Sequence, residues 1–298
     1  MKKLLTLFVV LAANISLFAE GIEVNGIWYN FDQINKTATV TYRGEFPNSI
    51  EEYTGSIAIP ENVIYQEVTY TVTKIGEEAF SQCYGLTSVT IPSSVKIIDN
   101  LAFYLCPNLS SVTMEEGIEI IGGGAFKGCT LRAITIPNSV LSIGEKAFYE
   151  CTTLAKVTLG NSVTSIGQEA FAGCLPLDSI EIPASVTSIG DWAFQRCEAL
   201  TTVTCHAMTP PTIQYGTFDI GYAGTGKETL YVPKGLVEVY RAAEHWKRFS
   251  YILEIGGSQG IDPITANHSK TTHKVIHNGQ LFILRGYKTY TVTGQEVR

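Results

Sequence analysis

From Ile75 onward the apolar positions follow one phrase, Ile-Gly-x-x-Ala-Phe-x-x-Cys-x-x-Leu-x-x-Val-x-Ile-Pro-x-x-Val, with mostly polar residues in the gaps. The phrase recurs with its phenylalanines at Phe80, Phe103, Phe126, Phe148, Phe171 and Phe194, at spacings of 23, 23, 22, 23 and 23 residues. Cys83, Cys106, Cys129, Cys151, Cys174 and Cys197 each follow their phenylalanine by three positions. The one shortening falls after Cys129, where Thr130 leads directly to Leu131. A fixed period of this length marks units that cannot bury their apolar side chains alone and must stack to share one core.

Within each unit, Leu86, Val89 and Ile91, and likewise Leu154, Val157, Leu159 and Leu177, Ile180, Ile182, predict a short strand with core-facing side chains. Stacked units place these strands in a parallel sheet. Pro92, Pro137 and Pro183 close the strand where a missing N–H costs little. Val95, Val140, Val163 and Val186 are expected to point inward on the return path. Gly76, Gly122, Gly144, Gly167 and Gly190 mark a turn that needs either positive φ or close approach of a neighbour. Asp99 takes that place in the second unit, which also carries Met114-Glu115 instead of Ile-Pro. The predicted fold is a β-rich leucine-rich-repeat solenoid of about 23 residues per turn.

The ends depart from the repeat, as the caps of a solenoid must. Residues 20–73 read as an N-terminal β cap: Asn25-Gly26 is a hairpin turn, Ile27 to Phe31 and Thr37 to Tyr42 are strands, and Ile57-Ala58-Ile59-Pro60 is a half repeat. The surplus of Ile64 to Thr73 suggests an inserted strand. Residues 74–205 hold six repeats, and 206–255 a degenerate last repeat with a cap. There Phe218 lacks its cysteine, Gly221 to Lys227 reads as a loop, and Leu230-Tyr231-Val232-Pro233 restores the strand-and-proline half. Val237, Tyr240, Ala243, Trp246 and Phe249 then fall at helical spacing, predicting one short amphipathic helix that closes the core. Trp246 is read as cap packing. Residues 256–298 comprise a linker, Gly256 to Gly260, and a small β tail.

The 298 residues are 45% hydrophobic and 16% charged, which supports a large core and excludes a disordered chain. Lys2 and Lys3, the apolar run from Leu4 to Ala13, and Ser16-Leu17-Phe18-Ala19 have the three regions of a secretory signal peptide, so residues 1–19 are expected to be removed. Nothing else is apolar for long enough to span a bilayer. The net charge of −7, more negative still without Lys2 and Lys3, argues against nucleic acid as a partner.

The phrase resembles that of the BspA-like leucine-rich-repeat surface proteins of bacteria from Ile57 to about Ile255. The tail, Asn278-Gly279-Gln280-Leu281-Phe282-Ile283-Leu284-Arg285 and Thr293-Gly294-Gln295-Glu296-Val297, is similar to the sorting tails of the type IX export system of Bacteroidota, though shorter. The resemblance implies a secreted or cell-surface protein, outer-membrane associated in a Gram-negative bacterium, that acts as an adhesin or host-interaction protein. It supplies no catalytic residues.

A search for chemistry agrees. The cysteine column suggests a metal or disulfides, but parallel inward side chains hold Cβ atoms wider than a disulfide needs, and neither C-x₂-C pairs nor histidines occur at repeat spacing. The column, with Cys205, reads as buried, reduced filler. His273 and His277 read as strand or loop residues, Glu77-Glu78 and Glu115-Glu116 as solvated carboxylates, and Gly122-Gly123-Gly124 as a variant turn. No catalytic, cofactor or metal site is expected, and the chain is read as non-enzymatic.

The outward strand positions form the candidate binding face: Thr87, Ser88, Thr90, Ser111, Thr113, Arg132, Thr135, Lys156, Thr158, Asp178, Glu181, Thr202 and Thr204. Threonine also simply suits an exposed strand. The strip as read has no aromatics, which favours an extended protein or peptide over a stacked sugar. The expected partner is an extracellular or surface protein of host or bacterial origin. The alternative is a glycan-binding accessory protein of polysaccharide uptake, with Tyr84, Tyr104 and Tyr149 of the Phe-x-x-Cys loops as its aromatic rim.

Overall fold

The computed structural model describes residues 21–42, 53–218 and 228–256, and the backbone of four tail strands, 272–277, 280–285, 288–291 and 296–297. The expected leader (1–19), the loop expected from Gly221 to Lys227 and the linker expected beyond Gly256 lie outside these residues.

The chain winds as a parallel β-solenoid, each rung close to 23 residues long. The predicted strands are present at Leu86–Ile91, Ser111–Met114, Ala133–Thr135, Lys156–Thr158, Ser179–Ile182 and Thr202–Cys205. They are preceded in the stack by the half repeat at Gly55–Ala58 and continued by Thr229–Val232 and Tyr251–Glu254. Every pairing among them is parallel and repeat positions face one another, as in Val89 with Val112 and Ile134 with Val157; the half repeat carries one register shift, between Gly55 and Ser56. The sheet is not continuous, however: it divides into three, with no ladder between Ser111–Met114 and Ala133–Thr135 or between Lys156–Thr158 and Ser179–Ile182. The first lapse coincides with the shortened repeat. The second has no counterpart in the spacing.

A second parallel sheet runs along another side of the solenoid. Its rungs are two residues each, Ile97–Ile98, Ile120–Ile121, Ser142–Ile143, Ser165–Ile166 and Ser188–Ile189, and it joins the N-terminal cap through Val68–Ile75. The conserved-looking glycine of the phrase ends these short strands, and close approach rather than positive φ explains it. A Cβ on Gly144 would lie 2.6 Å from the Gly122 carbonyl carbon, and one on Gly167 2.5 Å from that of Gly144. Positive φ occurs elsewhere, two residues either side of the phenylalanine. Glu78, Leu101, Lys146, Glu169 and Trp192 are left-handed on one side; Gln82, Leu105, Glu150 and Arg196 on the other; Gly124, Gly128 and Gly173 fill the remaining places. Between them Ala and Phe are both buried, as at Ala147 and Phe148. Two neighbours facing inward are incompatible with a strand's alternation, so the backbone must bend on each side of the pair. This third side is also bonded rung to rung: Phe103 N donates to Ala125 O, and Phe148 N to Ala170 O, each at 2.7 Å.

The core is one continuous column. Phe80, Phe103, Phe126, Phe148, Phe171, Phe194 and Phe218 stack face to face, with centroids 4.8 to 5.5 Å apart and ring planes within 8°. Val95, Val140, Val163 and Val186 are buried on the return path as expected. All seven cysteines are buried, and none forms a disulfide. They do more than fill space: Cys106, Cys129, Cys151 and Cys197 each donate to the carbonyl of the preceding rung's phenylalanine, at 2.9 to 3.2 Å. Burial pushes the Cys151 thiol up to about 12.

Tyr53 covers one end of the phenylalanine ladder, 4.6 Å from Phe80, and its hydroxyl donates to Thr41 O. The N-terminal cap has the expected Asn25-Gly26 turn, both residues left-handed. The inserted strand is instead a hairpin, Asn62–Tyr65 with Val68–Ile75, turned by Gln66 and Glu67 in left-handed conformation. The C-terminal helix also differs from its prediction. It is broken into Val237–Ala242 and a 3₁₀ turn at Trp246–Arg248, because Ala243 is extended and His245 left-handed. The cap packing holds all the same: Trp246 is buried 5.6 Å from Phe218, with Nε1 donating to Pro211 O, and Tyr240 donates to Ala207 O. In the tail, Thr272–His277, Gln280–Arg285, Lys288–Thr291 and Glu296–Val297 form a separate antiparallel sheet.

Candidate binding face

The register of the rungs turns the predicted face into columns. Ser56, Ser88 and Ser111 are in line, with Ser88 Oγ donating to Ser56 Oγ at 2.6 Å. Thr90 is opposite Thr113, Thr135 opposite Thr158, and Glu181 opposite Thr204. Ala133 is opposite Lys156, and Ser179 opposite Thr202. Thr87, Arg132 and Asp178 stand where their strands begin, with carbonyls that accept from Ser110, Ala155 and Thr201. All thirteen predicted residues are exposed or half-buried.

Lys156, Thr158, Asp178 and Glu181 are brought together around a recess of about 730 Å³ that lies across the lapse between Lys156–Thr158 and Ser179–Ile182. Its floor and walls also include Val157, Leu159, Pro183 and His206. The remaining nine predicted residues lie on the flat columns either side. His206 carries no signal in the repeat phrase; it follows Cys205 at the strand end, the place of Pro92, Pro137 and Pro183 in other rungs, and its Nε2 is 3.6 Å from Glu181 Oε2. One lysine, two carboxylates and a histidine thus share the lining with Val157, Leu159 and Pro183, a mixture suited to a polypeptide with both apolar and charged groups.

The strip is not free of aromatics. The pairing of Thr204 with Tyr231, and of Thr229 with Tyr251, carries both columns on to half-buried tyrosines at the C-terminal end. Tyr251 sits on a strand the repeat phrase does not mark; its only signal is the short apolar run Tyr251-Ile252-Leu253. The loop tyrosines read as an aromatic rim are otherwise engaged. Lys127 Nζ lies over Tyr104 at 5.6 Å and Tyr149 at 5.1 Å, one rung to each side, so the two rings share a cation. Tyr84 occupies a different position of its rung, four residues after Phe80 rather than one.

The paired acids are not a reactive cluster. Glu116 accepts from Asn138 N, Asn138 Nδ2 and Ser139 N at 3.0 to 3.1 Å, and Glu115 from Ser93 N at 3.1 Å, so both tie the turn after one strand to a neighbouring rung. These bonds, that from the Asn138 backbone foremost, hold the Glu116 carboxyl below its ordinary value. Both carboxylates are exposed, as expected, and in addition act as ligatures between rungs. Glu78 is half-buried, and burial with the Glu77 charge raises its carboxyl. His273 and His277 lie on one strand, Thr272–His277, as the sequence reading allowed.

Stacked rungs, a shared apolar column and a long exposed strand face define a leucine-rich-repeat solenoid that presents a surface. The chain belongs to the family described as BspA type leucine rich repeat region, which it matches in six copies over residues 60–131 and 119–235. A leucine rich cell surface protein from Faecalibacterium prausnitzii A2-165 is 32% identical, with 65% of this chain and 56% of that chain covered and a TM-score of 0.47. This chain therefore spans little more than half of that protein. The pneumococcal vaccine antigen PcpA is 21% identical over 78% of this chain and 70% of its own, with a TM-score of 0.54, a likeness of fold. A leucine-rich repeat protein from Bacteroides ovatus ATCC 8483 is 22% identical over 78% of this chain and 76% of its own, at a TM-score of 0.43. No curated protein matches the chain. No helix among the described residues is long and apolar enough to cross a membrane.

Proposed function

We propose that the protein is a non-catalytic binding module, secreted or held at the cell surface, that takes an extended segment of an extracellular protein along its strand face. The observation that carries this reading is the recess of about 730 Å³ between Lys156 and Glu181, set in an otherwise flat polar face. A flat hydroxyl-rich sheet offers register to an extended chain, and a recess lined in part by Val157, Leu159 and Pro183 offers an anchor side chain a place to be desolvated, where binding energy concentrates. The leader and the tail, through their resemblance to export and sorting segments, support delivery to the outside of a Gram-negative cell, and adhesion to a host or neighbouring cell follows as the role.

The purified mature chain, screened against arrayed host extracellular-matrix and bacterial surface proteins, should retain at least one partner. Reversing charge at the recess, Lys156→Glu with Glu181→Lys, should weaken that partner about tenfold or more, the loss of roughly 1.4 kcal/mol. An empty screen, or a partner indifferent to both changes, would count against the strand face.

A further inference from the structure

Away from the strand face, at the C-terminal end of the phenylalanine side, one rung breaks its column. The left-handed place two residues before the phenylalanine is held by Glu78, Leu101, Gly124, Lys146 and Glu169 in the other repeats and by Trp192 in the last. Left-handed backbone is costly for a bulky residue. Trp192 is nonetheless 41% exposed, so core burial does not explain it.

The next rung is shaped to receive the indole. Gly216 occupies the equivalent place, since Phe194 pairs in parallel with Phe218. A Cβ there would lie 2.3 Å from Trp192 Cδ1 and 2.4 Å from Nε1, so the ring lies against bare backbone that any other residue would fill. Asp191 Oδ1 accepts from both Trp192 N and Gly216 N at 3.1 Å, locking the two rungs together. Beside Gly216 in the chain, Tyr215 is 69% exposed. Its ring is held from one side by the Arg248 guanidinium, 3.8 Å from the centroid, while Arg248 Nη1 donates to the Tyr215 carbonyl. Neither the Trp192 indole N–H nor the Tyr215 hydroxyl has a hydrogen-bond partner within the described protein. Two aromatic rings are thus fixed, exposed, and furnished with unused polar edges.

We infer that Trp192 and Tyr215 form a carbohydrate-stacking site, distinct from the strand-face recess and going beyond the protein-binding reading. A pyranose presents an apolar C–H face rimmed by hydroxyls. Rigid amphipathic rings match the face, and the indole N–H, the phenol and the neighbouring Arg248 match the rim. A protein interface core would instead be depleted of charge, whereas Asp191 bonds the Trp192 backbone and Arg248 and His245 both pack against the Tyr215 ring. The sugar belongs here rather than at Tyr104 and Tyr149, whose rings already share Lys127.

The test is an array of plant, animal and bacterial glycans probed with the full mature chain, followed by titration of the best oligosaccharide by calorimetry. The expected result is binding that falls about tenfold in Trp192→Ala or Tyr215→Ala, is largely kept in Trp192→Phe, and is unchanged in Lys156→Glu. Equal thermal midpoints for Trp192→Ala and the parent would show that the loss is not unfolding. An array that stays empty at millimolar glycan overturns the inference, as does binding that persists in the Trp192→Ala, Tyr215→Ala double variant or is abolished by Lys156→Glu alone. Because the recess variants leave these rings untouched, failure here and failure of the strand-face reading are separately visible.

Discussion

Two kinds of residue in the phrase look conformationally special, and they act for different reasons. The glycine before the Ala-Phe segment is needed because rungs touch there: at Gly144 a methyl group would meet backbone atoms of Gly122 and Gly123 at 2.6 and 2.7 Å, and backbone cannot swing aside. Gly144→Ala should cost about 1–3 kcal/mol through overpacking, read as a lower denaturant midpoint at unchanged slope. At the left-handed position Glu169→Gly relieves a strained φ but loosens the unfolded chain, and the two nearly cancel to within about 1 kcal/mol. If the second substitution destabilised as much as the first, the assignment of roles would be reversed. The cysteines make a further test at this scale. Buried, five of them bonded to phenylalanine carbonyls, and with burial raising Cys151 to about 12 and Cys205 in the same direction, they should not react with a thiol reagent in the native state at pH 8, whereas denaturation should release all seven. Rapid native labelling would show that the column opens.

At the scale of the element, the turns after the strands are joined by carboxylates rather than by backbone alone. The Glu116 bonds to Asn138 and Ser139 stabilise the ionised form, so its pKa is lower folded than unfolded. A depressed pKa contributes stability that is present above the unfolded value and disappears as pH falls through the folded one. The stability difference between the parent and Glu116→Gln should therefore be complete at neutral pH and shrink through the acid range below the ordinary carboxylate value. Melting curves of both proteins across that range will show it, and a difference that grew with acidity would refute the sign. The lapses in the strand ladder also belong to this scale. The lapse between Lys156–Thr158 and Ser179–Ile182 creates the recess, so a departure from regular pairing is what gives the face a feature to bind with.

For the whole molecule, stability is close to a sum over rungs and their interfaces, and the ends decide whether the sum is realised. Trp246, Phe249 and Tyr240 close one end of the ladder and Tyr53 the other. Trp246→Ala should cost about 3–5 kcal/mol and leave Phe218 facing water. It should also bring concentration-dependent association, visible by light scattering, since an uncapped rung offers both apolar surface and unpaired strand edges. A variant that stayed monomeric and melted like the parent would mean that the cap is dispensable.

The repeat, its length, the inward Leu, Val, Ile, Phe and Cys positions and the capped ends were legible in the chain alone, because burial imposes a period and a period is a property of linear order. Trp246 as packing and Asn25-Gly26 as a turn were legible for a similar reason: each is a local signal. The left-handed residues flanking each phenylalanine were not, since Glu, Leu, Lys, Trp and Gly share no chemistry that announces positive φ. Nor were the second sheet, the Gln66-Glu67 hairpin, the recess that gathers Lys156, Asp178, Glu181 and His206, or the seating of Trp192 on Gly216. These depend on the rung-to-rung fit of backbones, a few tenths of an ångström at a time, and residues about 23 positions apart become neighbours only when the coil is wound.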